Sequence, residues 1–334
     1  MANETTKRPQ SKGKKALKII AILLAVFLAL EFVAGYFMYS IMLRTDSVIS
    51  RKKIEEMLVQ KTGISTQFFG LNKETIEWFN VHGEDKVLHS ADGLELHGTY
   101  FENEQNDHRY AVICHGYSGR GRQMVGFVQE FLDRGFAVLA PDARCHGNSE
   151  GVKIGMGYFE TADLLLWISE VLKWDSEAQI VLLGVSMGAA TVLMASGEAN
   201  LPQNVKAIVS DCAYTDAAAE FRSQSQDVIH VPAFPIVNIA SLFCNWMSGY
   251  SFKEASPLEA VKKSHTPTLF IHGEADAFVP YAMLEPLYTA AACEKQKLSV
   301  PNATHGNSAG TDPALYWSTV EDFVEQYVDM DVND

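Results

Sequence analysis

Ile180-Val-Leu-Leu-Gly-Val-Ser-Met-Gly-Ala-Ala-Thr-Val-Leu193 changes character in its middle. Before Gly184 it is an unbroken apolar run, as expected of a short strand buried on both faces. From Met187 it is Ala-rich and helix-like. The join, Gly184-Val-Ser-Met-Gly188, has the Gly-x-Ser-x-Gly form in which a serine sits on a sharp strand-to-helix turn. Glycines are needed there because the serine occupies strained backbone space and bulky neighbours would strike the adjoining strand and helix. The turn would present the Ser186 hydroxyl at the carboxyl end of a sheet, as a nucleophile must be.

On either side of this stretch, strand and helix patterns alternate. Lys86–Ser90 and Leu94–Tyr100 alternate in polarity around Ala91-Asp92-Gly93, a hairpin signal. Short apolar strands follow at Tyr110–Cys114, Phe136–Ala140, Val205–Ser210 and Thr268–His272, with a last one near Leu298–Val300. Helical spacing fills the gaps at Gln123–Leu132, Tyr158–Trp174, Leu284–Ala292 and Leu315–Tyr327. This order predicts an α/β protein with a mostly parallel, doubly wound sheet covered on both faces. The alternation lapses over about 211–266, too long for a loop, so a helical lid is expected there.

A hydrolytic serine needs a base, and the base needs a carboxylate to hold its tautomer. In a doubly wound sheet, these come from loops at the carboxyl ends of strands. Asp276 follows the strand ending at His272, and His305 follows the strand ending at Val300. The predicted catalytic set is Ser186, His305 as base and Asp276 as its orienting acid. Glu274 and Asp211 are alternative acids, and His272 reads as a structural histidine. The tetrahedral intermediate needs backbone donors, for which the amides of Met187 and Tyr117 are the candidates, the latter in the loop His115-Gly-Tyr-Ser-Gly119.

Taken with Asp142-Ala-Arg-Cys-His-Gly-Asn-Ser149 and Val279-Pro280, these motifs resemble the α/β-hydrolase family over about residues 84–330. The nearest resemblance is to the bacterial membrane-anchored branch related to serine aminopeptidases and esterases. It implies the α/β-hydrolase fold, a Ser-Asp-His triad and a lid between the sixth and seventh strands. Cys145 stands where the family has glycine in Arg-Gly-His-Gly, and Ala189 where many members have a second glycine. Asp142, Arg144 and His146 are expected to tie loops together near the site. A metal on His115 and His146 is disfavoured because no matching ligand set accompanies them, and no cofactor is expected.

Composition narrows the function class. A net charge of −14 over 334 residues argues against a nucleic-acid partner. Five cysteines without C-x-x-C spacing support neither a zinc site nor a disulfide framework. The amino terminus stands apart: a basic tail over 1–18 precedes an apolar stretch over 19–43, long enough to cross a bilayer at ~20 residues. Its fourteen Leu, Ile, Val and Phe residues outweigh the single Glu31. The basic flank should stay cytoplasmic, putting the catalytic domain outside. A cleaved signal peptide, with Val33-Ala34-Gly35 as a weak cleavage site, is the rival reading. Residues 44–83 are expected as a juxtamembrane stalk and 84–334 as the hydrolase domain.

The expected reaction is acyl transfer from a small-molecule carboxylic ester, with a hydrophobic acyl chain suggested by Phe221, Phe234, Phe243 and Trp246. A small-peptide amidase is the alternative enzyme. A non-catalytic, membrane-tethered binder of lipid or a partner is the non-enzyme alternative.

Overall fold

The computed structural model describes residues 12–47, 69–228 and 230–329. A long helix, α1 (Lys12–Leu43), leads into α2 (Lys73–His82). The sheet then begins with the hairpin β1 (Glu84–His89) and β2 (Glu95–Phe101). β3 (Arg109–Cys114), α3 (Val125–Asp133), β4 (Ala137–Pro141) and α4 (Tyr158–Trp174) follow. Next come β5 (Gln179–Val185), α5 (Met187–Ser196) and β6 (Val205–Asp211).

The chain then leaves the sheet for α6 (Ala217–Ser223), α7 (Ile236–Ser248) and the short α8 (Pro257–Val261). It returns through β7 (Thr268–Gly273), α9 (Leu284–Ala290), β8 (Lys295–Val300), the four-residue α10 (Ser308–Thr311) and α11 (Pro313–Val324).

The eight strands lie in the order β1-β2-β4-β3-β5-β6-β7-β8. β1–β2 and β2–β4 pair antiparallel, and every later pair is parallel. This is the α/β-hydrolase fold. The reason is visible in the strands themselves. β4 is buried at every position and β5 at all but its first, so helices must cover both of their faces. One apolar layer, with Phe127, Phe131, Phe136, Tyr316 and Trp317, lies on one face. A second, with Trp167, Ile168, Val192, Leu193 and Phe270, lies on the other.

Two parts of the amino-terminal expectation differ in the structure. The expected stalk, residues 44–83, falls partly on 48–68, outside the described residues. Beyond them the chain packs on the α/β domain: the Phe69 ring lies 5.4 Å from that of Phe127, and Phe79 is buried against Phe101. Asn72 starts α2 with a capping box to Thr75, a local signal that the surrounding charges hide. The apolar helix expected over 19–43 begins earlier, at Lys12, and its last turns do not project freely. Tyr39, Ser40 and Leu43 are buried, Tyr39 bonding Ser248 at 2.8 Å. Fully burying a side chain of Leu size contributes about 1.5–3 kcal/mol, enough to fix the end of α1 on the domain.

Candidate active site

Ser186 forms the turn from β5 into α5 with φ +58° and ψ −116°, a conformation that costs a non-glycine residue of order 1–3 kcal/mol. Its neighbours show why both glycines are required. A Cβ on Gly188 would overlap the carbonyl oxygen of Cys114 on β3, and one on Gly184 would overlap the backbone of Gly188. The turn is further pinned by the Ser186 amide, which donates to the Asp211 carbonyl at 2.9 Å. Strand, helix and adjacent strand thus press the serine into its strained position.

The three side chains singled out from the sequence meet here. His305 Nε2 lies 2.9 Å from Ser186 Oγ, and His305 Nδ1 lies 2.8 Å from Asp276 Oδ2. Asp276 Oδ1 accepts from the amides of Phe278 and Val279, both at 2.9 Å. Burial alone would raise the Asp276 carboxyl, but attraction to His305 whenever that ring is protonated, and hydrogen bonds from His272 and His305, outweigh it. They hold the group well below the usual carboxylate range. An ionised Asp276 can only accept, so His305 carries its proton on Nδ1 and turns the Nε2 lone pair toward the Ser186 hydroxyl.

The remaining candidates sort by the bonds they make. His272 is buried and donates from Nε2 to the Val279 carbonyl at 3.0 Å, with Asp276 Oδ2 at 3.4 Å. It steadies the acid and does not reach the serine hydroxyl. Asp211, an alternative acid, is fully buried, accepts from Ser308 Oγ at 3.0 Å and is pushed up to about 6 by burial. Glu274 is exposed, and only its backbone amide engages the site region, donating to the Val300 carbonyl.

His115 donates from Nδ1 to its neighbour Gly116's carbonyl and accepts at Nε2 from the Ala143 amide. His146 likewise spans the Arg144 carbonyl and the Ser118 amide. Both imidazoles are committed to loop ties. Asp142 accepts from the Gly121 and Asn148 amides, and Arg144 forms a paired contact with Asp163 at 2.6 and 2.7 Å.

The backbone on the other side of the serine comes from the loop after β3. A Cβ on Gly116 would lie 3.2 Å from Ser186 Cβ and 3.7 Å from its Oγ, so this loop runs beside the hydroxyl. Tyr117 follows directly. Its phenol points away and donates to the Met42 carbonyl at the end of α1, at 2.6 Å. Met187 is the first residue of α5, where unpaired amides and the helix dipole favour negative charge.

Several features of the site leave little signal in the sequence. Cys145 has φ +67°, the left-handed region, which explains why glycine is usual at that position. The Phe278 ring lies 4.8 Å from the His305 imidazole and shields it. Cys212, Asp276 and His305 bring ligand-type atoms within 4.8 Å of one another, but both His305 nitrogens already face Asp276 and Ser186. Only the post-strand position of Cys212 and the aromatic residue after Asp276-Ala could have hinted at these.

A profile described as the alpha/beta hydrolase fold matches residues 112–233. The uncharacterized protein YqkD of Bacillus subtilis is 26% identical over 317 residues, 95% of this chain and 99% of that one. An uncharacterized membrane protein of Saccharomyces cerevisiae is 24% identical over 243 residues, 72% of this chain and 79% of that one. Among solved structures, an esterase of Pyrococcus furiosus is similar with a TM-score of 0.61 and 19% identity, covering 78% of this chain and 96% of that one. The profile match and the structural neighbours show that the chain has the α/β-hydrolase fold. It is a hydrolase, and among the described residues one amino-terminal helix, Gly13–Leu43, is long and apolar enough to cross a membrane or to act as a signal sequence.

Proposed function

We propose that the protein is a membrane-anchored serine hydrolase that cleaves a carboxylic ester through an acyl-enzyme. The observation that carries this reading is the continuous path from Asp276 through His305 to Ser186, with both links under 3 Å. His305 takes the hydroxyl proton as Ser186 Oγ attacks the carbonyl carbon. The developing oxyanion is held by the amides of Met187 and Tyr117. Collapse releases the alcohol, which leaves with the proton from His305, and the acyl group remains on Ser186. Water, deprotonated by His305, then releases the carboxylic acid and restores the serine. Asp276, held ionised, stabilises the imidazolium in both halves.

The esterase among the structural neighbours supports an ester substrate. The buried Gly35, against Ile239 and Ala240, supports retention of the amino-terminal helix, since the weak cleavage site would sit inside a packed contact. The basic residues Lys14, Lys15 and Lys18 support an extracytoplasmic domain by the positive-inside rule. Turnover of p-nitrophenyl esters of increasing chain length, alongside peptide amides, tests the reading. Ser186→Ala should lower ester turnover by roughly 10⁶-fold. Near-full activity in that variant would overturn the proposal.

A further inference from the structure

Ile239, Leu242, Phe243 and Trp246 recur at helical spacing on α7 and form one apolar stripe. Half of the stripe is covered by α1. A Cβ on Gly35 would come within 2.5 Å of Ile239, and the Phe243 ring lies 4.7 Å from Phe32 and 5.2 Å from Tyr36. The other half is bare: Leu242 is 68% exposed, Trp246 80%, and Phe234, just ahead of the helix, 76%. Scattered exposed apolar residues are ordinary, but large ones gathered beside a covered stripe call for an occupant.

The surface of α1 indicates which. Between Leu17 and Leu30 its large apolar side chains are all more than half exposed, on every side of the helix. Only lipid solvates such a surface. Ile19 to Phe37 is 19 residues, about 29 Å of helix, which matches the ~30 Å hydrocarbon core. The bilayer counted from Ile19 therefore ends near Phe37. Phe32 and Tyr36, the residues that Phe243 packs against, lie in the last turns before that boundary. The bare half of α7 is continuous with the lipid-facing surface and sits at the level where tryptophan is favoured.

We propose that α7 is a bilayer-docking lid, with Phe234, Leu242 and Trp246 seated in the leaflet on the domain side, and that the ester taken by Ser186 is a lipid of that leaflet. This rests on the hydrolase reading above and gives it a substrate class. The same two steps would release first the deacylated lipid alcohol and then the free fatty acid. Two further features fit. Arg222 and Lys253 line a cavity of about 270 Å³ beside Leu242 and Val237, cations next to an apolar wall, as a phosphate-bearing lipid requires. The hydrogen bond from Tyr117 to Met42 ties the end of the anchor to the loop beside Ser186, so the site is built at the membrane end of the domain.

The test uses the full chain reconstituted in phosphatidylcholine/phosphatidylglycerol vesicles. The fluorescence of Trp246 is isolated as the difference between wild type and Trp246→Phe, and brominated lipids serve as quenchers. The difference signal should be quenched. In addition, a Leu242→Asp/Trp246→Asp double variant should lose on the order of tenfold in the ratio of vesicle-lipid to short-chain-ester turnover. A Trp246 signal untouched by brominated lipid, or an unchanged ratio, overturns the proposal. A signal that instead follows protein concentration would assign the face to a second copy and equally overturn it. If Ser186 takes no fluorophosphonate label, the hydrolase reading falls by itself, and the quenching still decides where α7 sits.

Discussion

Asp276→Asn probes how the acid controls its histidine. In the native site Oδ1 is pinned by two amide donors, Phe278 and Val279, each at 2.9 Å, while Oδ2 faces His305 Nδ1 at 2.8 Å. An asparagine must leave its carbonyl oxygen where the two amides donate, because its NH₂ there would oppose both. The NH₂ is therefore forced into the Oδ2 position. It donates to His305 Nδ1, which moves the ring proton to Nε2, so the ring then points a donor at Ser186 Oγ and cannot act as base. The loss expected from a wrong tautomer is about 10⁴ in kcat, or about 5 kcal/mol of barrier. The assay is steady-state ester turnover with the folded state checked by thermal melting. A variant that stays folded and keeps turnover within about tenfold of wild type would show that Asp276 does not set the His305 tautomer.

Glu220 offers a pH test. It is buried, with one oxygen accepting from Gln224 at 2.7 Å, and burial pushes it up to about 8 from an ordinary 4.5. The folded state holds this proton more tightly than the unfolded state does. The stability it contributes is full below pH 4.5 and is lost as pH rises through 8, by up to about 5 kcal/mol. Urea unfolding should find Glu220→Gln close to wild type at acid pH and more stable at pH 9, and equal stabilities at pH 9 would contradict this. Gly188→Ala should cost about 1–3 kcal/mol and displace Ser186, because its Cβ meets a strand carbonyl that cannot move alone. A melting temperature and turnover both equal to wild type would show that the turn is looser than described.

The sheet was legible because its strands are short apolar runs separated by helices at regular intervals, and β5 with its Gly-x-Ser-x-Gly turn fixed the direction of reading. Ser186, Asp276 and His305 could be found because each lies just past a strand, a position that sequence order alone reveals. The choice of Asp276 over Asp211 was not legible in that way. It depends on which carboxylate receives backbone amides and faces the imidazole, and Asp211 instead is buried against Ser308. The amino-terminal region is the part least legible in sequence. An apolar helix looks the same in sequence whether lipid or protein covers it, so nothing in Gly35 or Tyr39 announced their contacts with Ile239 and Ser248. The segment after Phe69 looked like a stalk because its core contacts come from a few aromatic residues set among charges.

An activated Ser186 must be open to covalent capture. Full-length protein treated with a fluorophosphonate should gain one adduct, located by peptide mass spectrometry on Ser186. Labelling should be absent in Ser186→Ala and strongly slowed in Asp276→Asn. A wild-type protein that takes no label, or a Ser186→Ala variant labelled as fast as wild type, would contradict that activation.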